Sequence, residues 1–308
     1  MQDRKIISLL PAATEIICAL GLEEQLIGRS HECDYPESVL DLPVCSSAKF
    51  LPGSDSEEID RQVKEILSDS LSIYTIDKEL IKSLAPDVII TQAQCDVCAV
   101  STKDVEFAMK NLLEKDCQLI SLEPHGLADI YRDIQNLADQ LGVGAAGADF
   151  LELSEERINI IRHKLKFSTE KPKVACIEWL SPLMIAGNWT PEIIEIASGV
   201  PVLSEKGKHS GYVSFEDIQN QDPDIIVLMP CGFSVERTLR EINLLLELPG
   251  WRALKAIQEN RFYIVDGNQY FNRSGPRITD SIEIMAEIIS PKQFAFGYEG
   301  KGWIRFNI

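Results

Sequence analysis

A long helical pattern in the middle of the chain constrains the fold more than any other feature. Between Ala128 and Phe167, apolar residues recur every three or four positions in two consecutive segments. A second helix that starts near Val143 would have about 25 residues and a length of roughly 35 Å. Short β-branched runs alternate with helical patterns on both sides of it. We therefore expect two lobes joined by this helix, with a ligand cleft between them. The alternative is one ordinary helix packed on a single domain.

The alternation of strands and helices defines the expected fold class, which is α/β. Buried β-branched strands that alternate with amphipathic helices predict largely parallel sheets covered by helices, as in Rossmann-like lobes. The expected organisation is an N-terminal α/β lobe (1–126), a connecting helical segment with the long backbone helix (127–170), a C-terminal α/β lobe (171–290) and an aromatic-rich tail packed on the surface (291–308).

Composition narrows the range of partners and suggests a compartment. The chain has 308 residues, and its net charge of -18 argues against nucleic acid and anionic membranes as partners. The N-terminus shows no signal-peptide pattern, and the eight cysteines are not needed as disulfide staples in a chain of this size. These features predict a cytoplasmic protein, or a periplasmic or cell-surface one if a signal peptide has been removed. We also expect a monomer.

An internal repeat supports the two-lobed interpretation. Glu79 is followed after six residues by Pro86-Asp87 and the strand VII, and Glu216 is followed after six residues by Pro223-Asp224 and the strand IIV. Each copy therefore predicts a short helix, a Pro-Asp turn and a buried strand. Pro-Asp turns commonly precede β-branched strands in α/β proteins. The matched position of the two glutamates nevertheless favours a duplication.

Several segments, in order along the chain, resemble the class III periplasmic binding proteins. This helical-backbone family comprises ABC transporter receptors for cobalamin, ferric siderophores, haem and metals, and the resemblance is closest to its cobalamin-receptor-like branch. It runs from about Lys5 to Ile289. The segments that carry it, besides the two repeat elements, are IISLLPAATEIICALG, SHECDYP, EWLSPLMIAGNW, LPGWRALKAIQENRFYIVDGN and YFNRSGPRITDS.

The resemblance implies both a mechanism and a partner. Two α/β lobes on one long helix would permit only small hinge motions. One exposed glutamate on each lobe docks onto arginines of an ABC permease dimer, and the matching positions are Glu79 and Glu216. The alternative role for these glutamates is to stabilise the N-termini of their helices.

Candidate ligand-binding residues lie in loops after predicted strands, because ligands of open α/β sheets bind at the carboxyl ends of the strands. The resemblance implies cobalamin or a related corrinoid as ligand, with no cofactor required. In cobalamin receptors, aromatic residues line the first lobe at positions that look like Glu32 and Gln92 here. The candidates are His31, Glu32, Asp34, Tyr35, Gln92, Cys95, Glu123, Glu178, Trp179, Trp189, Cys231, Phe233, Tyr270, Phe271 and Arg273.

Two further hypotheses follow from the acidic and thiol-bearing character of these loops. The first is bound metal, or a haem or siderophore ligand. Its candidate soft ligands are His31, Cys33, Cys95, Cys98 and Cys231, and His31 could also bind the cobalt of a corrinoid. The second is a cytosolic enzyme that uses the loop carboxylates with Cys95 or Cys231 as nucleophile. The sequence contains no G-x-S-x-G, phosphate-binding or dinucleotide-binding motif to support it.

Overall fold

The computed structural model of the chain describes residues 4–69, 73–92 and 117–307. The chain divides into two compact units. Unit 1 consists of Met1–Ser54, Glu58–Pro124 and Ala128–Glu152. Unit 2 consists of Asp55–Glu57, His125–Leu127 and Leu153–Ile308. No helix in the described parts of the chain is long and apolar enough to cross a membrane.

Unit 1 is built on a parallel sheet of four strands in the order β2-β1-β5-β6. All residues of β1 and β5 are buried, as expected for strands that are covered on both faces. A second, two-stranded sheet pairs β3 with β4. The strands are β1 (Ile6–Ser8), β2 (Leu26–Arg29), β3 (Ser46–Ala48), β4 (Tyr74–Ile76), β5 (Val88–Gln92) and β6 (Gln118–Leu122), and the helices are α1 (Pro11–Ala19), most of α2 (Ser56–Asp69), α3 (Lys78–Leu84) and α4 (Leu127–Gln140).

Unit 2 contains a seven-stranded sheet in the order β10-β8-β7-β11-β12-β13, with β9 beside β7. The strands are β7 (Lys173–Trp179), β8 (Met184–Ile185), β9 (Val200–Pro201), β10 (Gly211–Tyr212), β11 (Ile225–Leu228), β12 (Phe262–Val265) and β13 (Trp303–Arg305). The α-helices after the long helix are α6 (Thr190–Ile196), α7 (Phe215–Gln221), α8 (Val235–Glu241), α9 (Asn243–Leu246), α10 (Lys255–Gln258) and α11 (Ile278–Ile289).

The sheet of unit 2 is mixed rather than largely parallel. Strands β9, β7, β11 and β12 are parallel, whereas β8, β10 and β13 pair antiparallel with their neighbours. The connection from β7 to β8 is too short for the crossover that a parallel pair requires. The aromatic tail supplies β13, whose Trp303 is 3% exposed, and thus completes one side of the sheet.

The central helical pattern forms two helices, as its periodicity predicts. Helix α4 buries the apolar positions of the first segment, and α5 (Gly144–Leu165) buries Ser154, Ile158, Ile161 and Leu165. Gly142, at φ 80°, separates the helices. Helix α5 has 22 residues, about 33 Å, and its first part belongs to unit 1 and its second to unit 2.

The repeated element has the same local structure in both units. Helices α3 and α7 each have seven residues and begin at a capped N-terminus, where Asp77 accepts from Leu80 N and Ser214 accepts from Asp217 N. Each helix ends at a residue in the left-handed region, Ala85 at φ 48° and Asp222 at φ 41°. A proline follows in both copies and stops the helix.

The aspartate of each Pro-Asp turn bonds to the backbone at the start of the first strand of its sheet, since Lys5 immediately precedes β1 and Lys173 begins β7. In unit 1, Asp87 Oδ2 accepts from Lys5 N at 2.8 Å, and Asp87 N donates to Lys5 O at 2.8 Å. In unit 2, Asp224 Oδ2 accepts from Lys173 N at 2.7 Å, and Asp224 N donates to Lys173 O at 2.9 Å. The following strands β5 and β11 then pair in parallel with β1 and β7.

Candidate functional site

The candidate residues follow strands whose carboxyl ends share one edge of each sheet. In unit 1 these strands are β2, β5 and β6, and in unit 2 they are β7, β11 and β12. Since each of these sets is parallel, the loops after them gather at one edge of their own unit.

The first loop of unit 1 is held by Arg29 and Tyr74. Arg29 Nη1 donates to the carbonyls of Ser30 and Cys33, both at 3.1 Å, and Nη2 donates to Leu40 O at 3.1 Å. Tyr74 Oη donates to Glu32 Oε1 at 3.0 Å. These contacts fix the loop backbone and orient the Glu32 carboxylate.

His31 and Cys33 lie in this loop but are engaged within unit 1. His31 Nδ1 lies 2.9 Å from Ser46 Oγ, its ring contacts Tyr74, and burial followed by the charge of Arg29 lowers its pKa. Cys33 is fully buried, and its Sγ accepts from Thr14 Oγ1 at 3.0 Å. The described residues contain no group of three or more histidine, cysteine or acidic side chains placed to hold one ion.

The other candidates of unit 1 differ in exposure. Asp34 and Tyr35 are exposed, whereas Gln92, at the end of β5, is buried. Glu123 is exposed after β6, and its backbone N donates to Asp133 Oδ2 at 3.1 Å. Cys95 and Cys98 lie outside the described residues.

In unit 2, a hydrogen-bonded chain near the end of β7 links Glu178 to Ser210 and Ser210 to Gly187. The Glu178 carboxylate accepts a short hydrogen bond from Ser210 Oγ, and Ser210 Oγ in turn accepts from Gly187 N at 3.0 Å. Burial raises the pKa of Glu178, and the hydrogen bond from Ser210 offsets only part of that shift. Gly187 needs its small size, since a Cβ there would lie 2.2 Å from Lys208 O.

An aromatic–arginine cluster, formed by Trp179, Phe233 and Arg237, follows strands β7 and β11. The ring centres of Trp179 and Phe233 are 5.3 Å apart, and the guanidinium carbon of Arg237 lies 4.6 Å from the Phe233 ring centre. Trp179 is partly exposed, and its Nε1 donates to Ser56 O and Ser181 O, both at 3.1 Å. Phe233 is 4% exposed, so the cluster presents the partly exposed Trp179 ring, backed by Phe233 and its stacked guanidinium.

The cluster continues into residues that the sequence analysis missed. Arg237 Nη2 pairs with Glu241 Oε1 at 2.8 Å, and Glu241 Oε2 accepts from Ser56 N at 2.8 Å. The only sequence signal was the spacing of Arg237 and Glu241 on one helix, which is equally typical of a solvated surface pair.

The remaining candidates of unit 2 differ in their packing. Trp189 and Phe271 are 6% and 1% exposed, and Trp189 Nε1 donates to Phe271 O at 2.8 Å, so both belong to the core of the unit. Cys231 is exposed. Tyr270 packs on Tyr298, and the buried Arg273 donates to Asn268 Oδ1 at 3.1 Å.

Residues 6–268 match the family described as Periplasmic binding protein, and the chain belongs to that family. The resemblance seen in the sequence is thereby confirmed, as is the two-lobed α/β fold class.

Individual relatives span nearly the whole chain. An uncharacterised ABC transporter substrate-binding lipoprotein, YvrC, of Bacillus subtilis is 22% identical over 95% of this chain and 82% of its own length. A vitamin B12-binding protein of Vibrio cholerae is 22% identical over 91% of this chain and 86% of its own length. The crystal structure of the periplasmic vitamin B12 binding protein BtuF of Vibrio cholerae matches with a TM-score of 0.66 and 22% identity, over 94% of this chain and 98% of that one.

The prediction of a cytoplasmic protein is wrong. The family is one of periplasmic binding proteins, and the named relatives are a lipoprotein and a periplasmic protein, which points to a location outside the cytoplasm. The cysteines misled the prediction because a buried thiol reports little about its redox compartment. Desolvation, the largest cause, raises the pKa of the partly buried Cys18 to about 12 and that of the buried Cys45 to about 11, which favours the protonated thiol.

Proposed function

We propose that this chain is the substrate-binding protein of an ABC importer and that its ligand is a cobalamin-type corrinoid. Family membership and the vitamin B12-binding relative support this assignment. The observation that carries the ligand class is the aromatic–arginine cluster at the strand ends of unit 2. A corrin presents a large planar surface with peripheral amides. Aromatic faces can pack on such a surface, and an arginine can donate to the amides.

The candidate residues fall into two roles under this proposal. The exposed and partly exposed side chains contact the ligand, and the buried ones hold those contacts in position. The contact set is His31, Glu32, Asp34, Tyr35, Glu123, Glu178, Trp179, Cys231 and Tyr270, and the supporting set is Gln92, Trp189, Phe233, Phe271 and Arg273.

The proposed partner is an ABC permease, which Glu79 and Glu216 would contact. Both glutamates are exposed, and each lies in the first turn of its copy of the repeated helix. Two carboxylates on matched elements are suited to bidentate pairing with arginines.

The ligand assignment is tested by calorimetric titration with cyanocobalamin and dicyanocobinamide. We expect binding in the micromolar range or tighter. Trp179→Ala should weaken it at least about tenfold, because removal of a central aromatic anchor typically costs more than 1 kcal/mol. Phe167→Ala is the matched control, since Phe167 is 85% exposed and lies outside the proposed site.

Two results would contradict the assignment. One is the absence of heat with both corrinoids while haem or a ferric siderophore binds, which would favour the other ligands of this fold. The other is unchanged corrinoid affinity in Trp179→Ala, which would remove the cluster from the site. Far-UV circular dichroism of each variant separates a lost contact from a lost fold.

A further inference from the structure

Two exposed histidines in unit 2 lie in direct contact although they come from different loops. The ring centres of His125 and His209 are 6.0 Å apart with an interplanar angle of 85°. His125 follows strand β6, and His209 lies between β9 and β10. Neither residue belongs to the ligand-binding set proposed above.

The loop that carries His209 is held on both sides of the histidine. Asn188 N donates to Lys208 O at 2.6 Å, and Gly207 N donates to Asn188 O at 2.9 Å. On the other side, Ser210 Oγ accepts from Gly187 N and donates to Glu178. The His209 backbone is therefore fixed against the turn that precedes α6.

The segment that carries His125 is fastened to the same helix. Leu127 N donates to Glu192 Oε2 at 2.8 Å, and Glu192 lies in the first turn of α6. Both imidazoles are thus presented from backbone anchored around the N-terminus of α6. This anchoring reduces the ordering cost of a ligand that bridges them.

The charges around the pair are compatible with a bound cation. Lys206 forms an ion pair with Glu195, and Lys208 pairs with Glu205 at 2.7 Å, so both lysines beside His209 are matched by carboxylates. The net charge of -18 favours cations over the whole surface.

We propose that His125 and His209 form a two-histidine site for a borderline divalent transition metal, of the type of Zn²⁺, Ni²⁺ or Cu²⁺. Neutral imidazoles are common ligands for these ions. Two imidazoles that bind one ion at nitrogen–metal distances of about 2.0–2.1 Å have ring centres roughly 5–6 Å apart, and the observed spacing of 6.0 Å is close to this range. The remaining coordination positions stay open to water or to another ligand.

The test is calorimetric titration of the untagged protein with NiCl₂ and ZnCl₂ in a non-coordinating buffer. We expect one equivalent of metal to bind, with at least about tenfold weaker affinity in His125→Ala and in His209→Ala. His163→Ala is the matched control and should bind as the wild type does, because His163 is an exposed histidine on α5. Cys117→Ser, at a partly exposed cysteine outside the proposed ligand-binding set, should also keep the site, which separates imidazole from thiol binding.

Electron paramagnetic resonance with Cu²⁺ identifies the ligands directly. The wild-type spectrum should show coupling to two imidazole nitrogens, and each histidine variant should show one. Absence of binding at millimolar metal, or unchanged affinity and nitrogen coupling in both variants, would overturn the proposal. Corrinoid titration of the same variants is a separate measurement, so failure of the metal site and failure of the proposed ligand can be distinguished.

Discussion

Arg29 illustrates how a single buried side chain can hold a candidate binding loop. Its side chain spans the loop after β2 and donates to three backbone carbonyls, those of Ser30, Cys33 and Leu40. The residue is only 9% exposed, and its bonds to the Ser30 and Cys33 carbonyls are buried, so water cannot easily replace the guanidinium there. Its planar, multi-donor guanidinium can reach all three, which a lysine could not do in the same way.

We predict that Arg29→Ala lowers the free energy of unfolding by about 2–4 kcal/mol, because buried carbonyls lose their donors. Arg29→Lys should recover only part of this loss. The measurement is urea denaturation followed by circular dichroism. In the control Arg162→Ala, the lost arginine is 47% exposed and pairs with an exposed glutamate, so we expect a change of at most about 0.5 kcal/mol. Equal effects of the two alanine variants would contradict the anchoring role.

Sequence patterns identified the loop after β2 but not the residue that holds it. The polar run from Ser30 to Pro36 after a strand is a local signal, and it placed Glu32 and Tyr35 correctly in a loop. In the sequence, Arg29 is simply the last residue of a strand. Its side-chain hydrogen bonds depend on the path of the loop that brings Leu40 back to it. The contact of His125 with His209 was missed for the same reason, since spacing alone does not bring distant loops together.

At the scale of elements, the geometry of the repeated helix–turn–strand motif depends on one aspartate. Asp87 and Asp224 each make two hydrogen bonds to the backbone of a lysine at the start of the first strand of their sheet. The carboxylate therefore sets the register between the turn and the strand. The same pair of bonds recurs in both units, each joining residues more than 50 positions apart in the chain.

Asp87→Ala and Asp224→Ala should each lower the free energy of unfolding by about 1–2 kcal/mol, because a backbone N–H loses its charged acceptor. Asp149→Ala, at an exposed position on α5, is the control and should be near neutral. Chemical denaturation at pH 7 measures all three. If either aspartate variant were as stable as the control, its turn would not need the carboxylate.

The effect of Asp224 should also depend on pH. Burial alone would raise the pKa of Asp224, but the ion pair with Lys255 and the hydrogen bond from Lys173 N outweigh it, so that the folded-state pKa lies below the usual value. A carboxyl with a lowered folded-state pKa stabilises the fold above its unfolded pKa of about 3.9 and loses this contribution as the pH falls through the folded value. The loss of unfolding free energy caused by Asp224→Ala should therefore be largest at pH 7 and become smaller below about pH 4. A loss that is constant down to pH 2 would contradict the ionic origin.

The repeat could be predicted closely from the sequence because each of its signals is local. A capping residue, a proline and a β-branched run each act within a few positions, and together they gave the helix, the turn and the strand. The antiparallel strands β8, β10 and β13 carry no comparable signal. They are two or three residues long, and their pairing depends on which edge of the sheet is open.

At the scale of the whole molecule, the proposed permease contact can be tested in cells. We predict that Glu79→Ala and Glu216→Ala each reduce uptake of labelled cobalamin several-fold and that the double variant reduces it at least about tenfold, because each removes a charge-assisted contact. Ligand affinity measured by calorimetry should not change. Glu24→Ala and Glu259→Ala remove other exposed glutamates from the two units and should leave uptake intact. Equal uptake by all four single variants would contradict docking through these residues.

The architecture was more accessible to sequence analysis than the ligand or the compartment. The fold follows from a long helix and a repeat, which involve many residues and tolerate individual exceptions. The choice of ligand depends on a few side chains near the strand ends, such as Trp179 and Arg237, whose relative position is set by packing. The compartment was inferred from the N-terminal pattern and from free thiols, and three of the described thiols, Cys33, Cys45 and Cys176, are buried.

The position of β13 has a consequence for biosynthesis. Trp303–Arg305 pairs with β12, so the sheet of unit 2 is incomplete until these residues have left the ribosome, whereas the last segment of unit 1 ends at Glu152. Unit 1 can therefore begin to fold during translation, while the nascent unit 2 exposes the open edge of β12. Until the final strand is added, that edge presents unpaired backbone N–H and C=O groups that another chain can pair with.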